Sequence, residues 1–162
     1  MIIKLKNKET LEFGEFKFKC CIGKKGVKKN KIEGDNSTPA GTYKIGPIYF
    51  RKDRIKNFKT YLKKKIIKKN MGWSNDPDDK NYNKEIKIKK KAGFEKLFRK
   101  DQKYDLLIVI KYNYKKKKEN IGSAIFIHLT KNYKPTAGCI ALKKKDFLIL
   151  IKLIKKNTKI KI

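Results

Sequence analysis

Hydrophobic residues recur at alternate positions through the first 22 residues. Ile3 and Leu5, then Leu11, Phe13, Phe16, Phe18 and Cys20, sit at or near period two, with lysines and glutamates between them. Side chains on a strand alternate between its faces, so this spacing predicts two half-buried strands with a turn near Asn7-Lys8. A glycine-punctuated polar connection follows over residues 23–31, and then the tight loop Gly34-Asp35-Asn36-Ser37-Thr38-Pro39-Ala40-Gly41. Residues 42–50 read as a strand bent at Gly46-Pro47. In residues 51–70, Ile55, Phe58, Leu62 and Ile66 approach helical spacing, but dense lysines and β-branched residues weaken a helix, and the pattern leaves the choice open.

Farther along, Gly72 to Asp79 reads as a loop holding the sole tryptophan, Trp73. It is either an Asx-rich turn with Trp73 folded onto the core or a lid over a cleft. Residues 85–89 alternate as a short strand, and Phe94, Leu97 and Phe98 suggest one helical turn. The most apolar run of the first 110 residues, Tyr104 to Ile110, predicts a central strand covered on both faces. Lysine-rich residues 112–120 read as a solvated hairpin loop. Two short apolar runs, Ala124 to Ile127 and Ile140 to Leu142, predict strands joined by a polar loop containing Pro135. Last, Phe147, Leu150, Ile151 and Ile154 fall at i, i+3, i+4 and i+7 with lysines opposite, which predicts an amphipathic helix over 146–156. The fold expected is mainly β: a mixed β-sandwich or half-open barrel with a C-terminal amphipathic helix, one domain over residues 1–162.

Charge changes this picture less than its size suggests. The 162 residues carry a formal net charge of +31, yet only Arg51, Arg54 and Arg99 of the 46 basic residues are arginine. Arginine is the residue favoured for bidentate phosphate and base contacts, and lysine here is spread through every segment. A specific nucleic-acid partner is therefore not expected, although such a surface attracts polyanions. Apolar runs are far shorter than the ~18 residues of a membrane span, and the N-terminus lacks the apolar region of a signal peptide. The aspartates of residues 72–79 lack calcium-loop spacing, and residues 34–41 lack the Gly-Lys-Ser/Thr ending of a phosphate loop. No Cys-x-x-Cys pair exists and there is one histidine, so no metal is expected. Adjacent Cys20 and Cys21 point to opposite strand faces and read as structural, or as able to pair in an oxidising compartment.

Chemistry concentrates in Ser123 to Leu142. His128 ends the first strand of this segment, and Cys139 starts the second eleven residues later. Neighbouring strands lie about 5 Å apart, so two side chains on one sheet face can meet. An imidazole beside a thiol can take its proton and generate the nucleophilic thiolate. Gly138 lets the backbone approach a substrate closely, and the amides of Gly138 and Cys139 are candidates for an oxyanion hole. The competing reading is that Cys139 is a small core hydrophobe and His128 a satisfied core histidine.

The run His128…Thr136-Ala137-Gly138-Cys139-Ile140 resembles the active-site motif of the L,D-transpeptidase catalytic domain, the YkuD-like family: a histidine, a variable loop, then Ser/Thr-x-Gly-Cys and an apolar residue. Gly34 to Gly41 is similar to the family's Gly-Asp-x-x-Thr-Pro-x-Gly stretch, and Gly72 to Pro77 with Asn81-Tyr82-Asn83 resembles a segment of one branch. Many members carry a second histidine where Ala137 stands. The resemblance implies a cysteine-dependent transferase with Cys139 as nucleophile and His128 as general base and acid. It passes a peptidoglycan stem peptide through a thioester to an amine, with release of D-alanine. Further implications are substrate contacts from Trp73, Tyr82, Asn83 and Thr136, no cofactor, a monomer, and a place in the cell envelope or periplasm, serving wall synthesis and cell shape. The alternatives are a carboxypeptidase or amidase on the same two residues, and a basic wall-binding domain without catalysis.

Overall fold

A computed structural model describes residues 1–89, 92–114 and 118–162. The first 22 residues form three strands, β1 (Ile2–Asn7), β2 (Thr10–Phe13) and β3 (Phe16–Cys21), where the alternation predicts two. The extra turn sits at Gly14-Glu15, between the paired residues Phe13 and Phe16. Gly14 takes φ 59 there, which a two-residue hairpin turn requires at its first central position. Period two continues across such a turn, so the hydrophobic pattern does not reveal it.

The remaining strands are β4 (Val27–Lys28), β5 (Thr38–Pro39), β6 (Thr42–Phe50), β7 (Lys64–Ile66), β8 (Met71–Ser74), β9 (Glu85–Lys87), β10 (Phe94–Lys96), β11 (Leu106–Ile110), β12 (Phe126–Leu129), β13 (Ile140–Leu142) and β14 (Lys159–Lys161). The main sheet runs β11-β12-β13-β3-β2-β1-β14-β6, and β6 pairs back onto β11. Eight strands therefore close into a barrel, and β7 extends β6 on the outside. The half-open barrel expected from sequence is closed because β6 is long and bent. Ile45 pairs with Ile110 and Ile48 with Ile108, so Gly46 and Pro47 bulge opposite Val109 alone. The bend divides β6, with Thr42 to Lys44 on β14 and the rest on β11 and β7.

Two further expectations are corrected. Gly72, Trp73 and Ser74 lie in β8, which pairs with β9 and β10 in a separate three-stranded sheet, and Phe94 starts β10 where one helical turn is expected. Gly72 to Ser74 are all buried, so no polar alternation marks the strand. Residues 51–63 form turns and irregular chain, with Ile55 and Leu62 anchored in the core. The expected lysine-rich loop is described only outside residues 115–117.

Parity along the strands sorts two cores. Leu106, Ile108 and Ile110 of β11, Ile127 and Leu129 of β12, and Ile140 and Leu142 of β13 point into the barrel, with Ile3, Leu11, Phe18 and Cys20. Leu107, Val109 and Phe126 point outward, into a second cluster with Tyr49, Trp73, Leu97, Tyr104 and Cys139 under the small sheet. The C-terminal helix, α1 (Lys144–Leu153), buries Phe147, Leu150 and Ile151 in the barrel core, and Ile154 caps it in extended geometry. Asp146 in its first turn and Lys152 in its last complement the helix dipole. Phe147 is fully buried; Phe147→Ala is therefore expected to lower stability by about 3–5 kcal/mol in denaturant unfolding, with exposed Lys152→Ala changing it by less than about 0.5 kcal/mol.

Candidate active site on the outer face of the barrel

β12 and β13 run parallel, with Ile127 opposite Ile140, His128 opposite Ala141 and Leu129 opposite Leu142. Because Ile127 and Ile140 face inward, His128 and Cys139 both face outward, one diagonal step apart on adjacent strands. Both line one cavity of about 1280 Å³, together with Thr136, Gly138 and a rim of charged side chains. The cavity lies where β12, the 130–139 loop, the segment 99–105 and the turn near Gly34 meet.

His128 is buried, and its Nδ1 lies 2.9 Å from the Leu129 carbonyl oxygen. A carbonyl only accepts, so Nδ1 carries the proton and Nε2 is left as the basic nitrogen. The residue that orients His128 is thus part of the backbone. The Tyr104 ring meets the imidazole edge-on at 5.3 Å between centroids, and the Tyr104 hydroxyl donates to Glu95. Burial pushes the His128 pKa down to about 4, and Lys103 and Arg99 add to this against the pull of the Leu129 carbonyl.

Cys139 is held differently from the ion pair that such a dyad suggests. Its thiol donates to the Ala124 carbonyl at 3.2 Å and accepts from the Phe126 N–H at 3.3 Å. Burial, with the Glu95 charge, raises its pKa to about 12 while the Phe126 amide works the other way. The resting pair is a neutral thiol and a neutral imidazole.

The turn before Cys139 is built by hydrogen bonds within Thr136 to Cys139. Thr136 Oγ1 donates to the Cys139 carbonyl at 2.6 Å and accepts the Gly138 N–H at 3.1 Å. Thr136 lines the cavity, but its hydroxyl is committed to this turn. The Gly138 amide is likewise committed, which leaves the Cys139 amide, without a hydrogen-bond partner among the described residues, as the free donor of the two. Gly138 takes φ 143, and a Cβ there would stand 2.7 Å from the Ser37 carbonyl oxygen. The glycine thus serves the approach of the 34–41 turn. Asp35 fixes that turn by accepting from Lys31 Nζ, the Ile32 amide, and the amide and hydroxyl of Ser37. Although burial opposes it, these donors hold the Asp35 carboxyl well below the usual carboxylate range. Residues 34–41 are therefore a turn and a brace for the cysteine loop, and Gly34 also reaches the cavity wall.

Three expected substrate contacts lie elsewhere. Trp73, Tyr82 and Asn83 are each 3% exposed and stand behind the cavity, outside its lining. Trp73 Nε1 donates to Asn83 Oδ1, and Tyr82 donates to Glu33 and accepts the Gly122 amide. Polar residues in a Gly- and Asp-rich segment read as cleft-facing, but here they are satisfied inside. Glu95 of the small sheet and Asn75, just past β8, line the cavity instead. Glu95 had no sequence signal, since a lone glutamate on a short strand reads as solvated. Cys20 sits in the barrel core and Cys21 donates to the Lys134 carbonyl, consistent with opposite strand faces.

The fold is thus a closed barrel with a cysteine and a histidine lining one cleft on its outer face. The family model for YkuD, the L,D-transpeptidase catalytic domain, matches residues 2–162, and the chain belongs to that family. Among solved structures, the helical cell shape determining protein Pgp2 from Campylobacter jejuni is similar at a TM-score of 0.53 and 18% identity, over 99% of this chain and 46% of that one. Its K307A mutant aligns at 0.50 and 17%, over 99% and 45%. This chain thus spans about half the length of those structures, and at such identity the likeness is one of fold. Comparison with curated proteins gives no match.

Two outcomes are expected. Gly138→Ala forces a Cβ onto the Ser37 carbonyl from a left-handed φ, and should lower stability by about 3 kcal/mol in thermal or denaturant unfolding. A buried histidine whose pKa is depressed from 6.5 to about 4 binds its proton more readily when unfolded. The stability it contributes is present above pH 6.5 and is lost as pH falls toward 4, by about 3 kcal/mol in all. Unfolding free energies measured between pH 4 and 7 should show that step in the wild type and lack it in His128→Gln.

Proposed function

We propose that the chain is a cysteine-dependent L,D-transpeptidase acting on peptidoglycan stem peptides. The observation that carries this reading is that Cys139 and a tautomer-fixed His128 face the same side of the barrel, one diagonal step apart, and line one cavity. In the proposed reaction His128 Nε2 takes the thiol proton, and the sulfur attacks the stem-peptide carbonyl next to the terminal D-alanine. The Cys139 amide donates to the oxyanion. Collapse breaks the amide C–N bond, and His128 returns the proton to the departing amine of D-alanine. A thioester to Cys139 remains. An acceptor amine, deprotonated by His128, then attacks the thioester, forming an amide and releasing the thiol. No cofactor enters these steps.

Family membership supports the peptidoglycan substrate and a place at the cell envelope. The likeness to a protein named for helical cell shape supports a part in shaping the wall. A monomer suffices for the reaction, since both reacting side chains come from one chain.

Incubation with a tetrapeptide stem or a carbapenem, followed by intact-mass analysis, tests the assignment. Wild-type protein should gain the mass of the acyl group, and Cys139→Ala should gain none while losing only about 1–2 kcal/mol of stability. Acylation that persists in Cys139→Ala would remove Cys139 from the role. With an amine acceptor present, hydrolysis without a new amide bond would make water the acceptor and the enzyme a carboxypeptidase.

A further inference from the structure

The strained point nearest Cys139 lies in the segment that leads into β12. Ala124 holds φ 52, a left-handed conformation disfavoured for every residue with a Cβ. Next to it, Ser123 Oγ is buried with no hydrogen-bond partner among the described residues. Outliers of this kind persist where the surroundings over-determine them, and they gather at functional sites.

What over-determines Ala124 is one side chain. Asn83 Oδ1 accepts from the Ala124 N–H at 3.1 Å and from Trp73 Nε1–H at 2.9 Å. Asn83 Nδ2 donates to the carbonyls of Tyr112 and Asn113, each at 2.9 Å. Two bonds accepted and two donated saturate a side-chain amide. Asn83 itself sits at φ 56, a position that asparagine tolerates better than most residues. Beyond Ala124 the chain of contacts reaches the thiol, because the Ala124 carbonyl is the acceptor of the Cys139 S–H.

We propose that Asn83 is a positioning residue for Cys139: by clamping the Ala124 N–H it keeps Ala124 left-handed, and so aims the carbonyl that holds the thiol at rest. The proposal rests on the reading of Cys139 as the reactive nucleophile. Asn83 touches neither the cavity nor any reacting atom. Released from the clamp, Ala124 relaxes to an ordinary backbone conformation, its carbonyl swings away, and the thiol loses its acceptor.

The test is the rate at which iodoacetamide alkylates Cys139 in the full chain at pH 8, followed by peptide mass mapping to separate Cys139 from Cys20 and Cys21. In that reaction the sulfur–carbon bond forms, iodide leaves and the thiol proton passes to solvent. Asn83→Ala should raise the rate about tenfold, as a thiol without its acceptor ionises more readily. Adding Ala124→Gly should bring the rate most of the way back, because glycine takes φ 52 without a clamp. A residue that merely braced the core would not be rescued in this way. An Asn83→Ala rate equal to wild type overturns the proposal, as does a double variant that stays as fast as the single one. Should Asn83→Ala fail to fold, Trp73→Phe removes one of the two donors to Asn83 Oδ1. A smaller rise reversed by Ala124→Gly is then expected, and no rise overturns the proposal. Since no stem peptide takes part, failure of the acylation experiment and failure of this one are read separately.

Discussion

The register between β12 and β13 is the constraint on which the site depends. With Ile127 set against Ile140 and Leu129 against Leu142, four apolar side chains enter the barrel, and the intervening His128 and the preceding Cys139 must face outward. A slip of one residue on either strand would turn His128 or Cys139 inward and push core residues out. Burial of an aliphatic side chain of this size is worth about 1.5–3 kcal/mol, so the four together hold the register far more firmly than any bond between sulfur and imidazole could. The face that carries His128 and Cys139 is thus positioned by the energy of the opposite face. Thr136 finishes the work locally, tying the Gly138 amide and the Cys139 carbonyl into one turn.

Placement in a buried second cluster also determines the resting protonation. Desolvation disfavours the charged form of either group, so it lowers the histidine and raises the cysteine. Each displacement favours the neutral pair. Both groups therefore rest uncharged, which protects a thiol that would otherwise be open to oxidation or alkylation. The Phe126 amide is already aimed at the sulfur and favours the thiolate once it forms.

Much of this was legible along the chain. Strand β11, the bulge at Gly46-Pro47 and helix α1 each carry a period or a breaker that local physics reads directly. His128 and Cys139 stood out because a histidine and a Thr-x-Gly-Cys run sit at adjoining strand ends, although Gly138 itself serves the close approach of the Ser37 carbonyl. What stayed hidden was non-local. Strand β14 has one apolar residue, Ile160, and exists because β1 and β6 flank it. The parallel pairing of β12 and β13 spans a ten-residue connection, shorter than the dozen or so usual for parallel strands. Trp73, Tyr82 and Asn83 were visible as a cluster, but which way they faced depends on a small sheet whose central strand is buried from Gly72 to Ser74. The left-handed Ala124 has no signature at all, since its conformation is imposed by a partner 41 residues away.

The lysine-rich composition takes on a sharper meaning beside the arginines. Arg51 pairs with Asp53, Arg54 with Asp105 and Arg99 with Asp101. All three arginines are therefore spent on carboxylates, and Arg51 and Arg54 also clip the 99–101 backbone to the end of β6. The residue type best suited to reading phosphates is fully engaged in holding one wall of the cavity. The acids that line this cavity are engaged as well: Asp101 and Asp105 with arginines, Glu33 and Glu95 with tyrosines. Lys100, Lys103, Lys131, Lys134 and Lys144 share the same lining and have no ion-pair partner among the described residues. The cleft thus presents a net positive field made of mobile point charges rather than fixed forks. Such a field raises the encounter rate of any acidic ligand without specifying its shape.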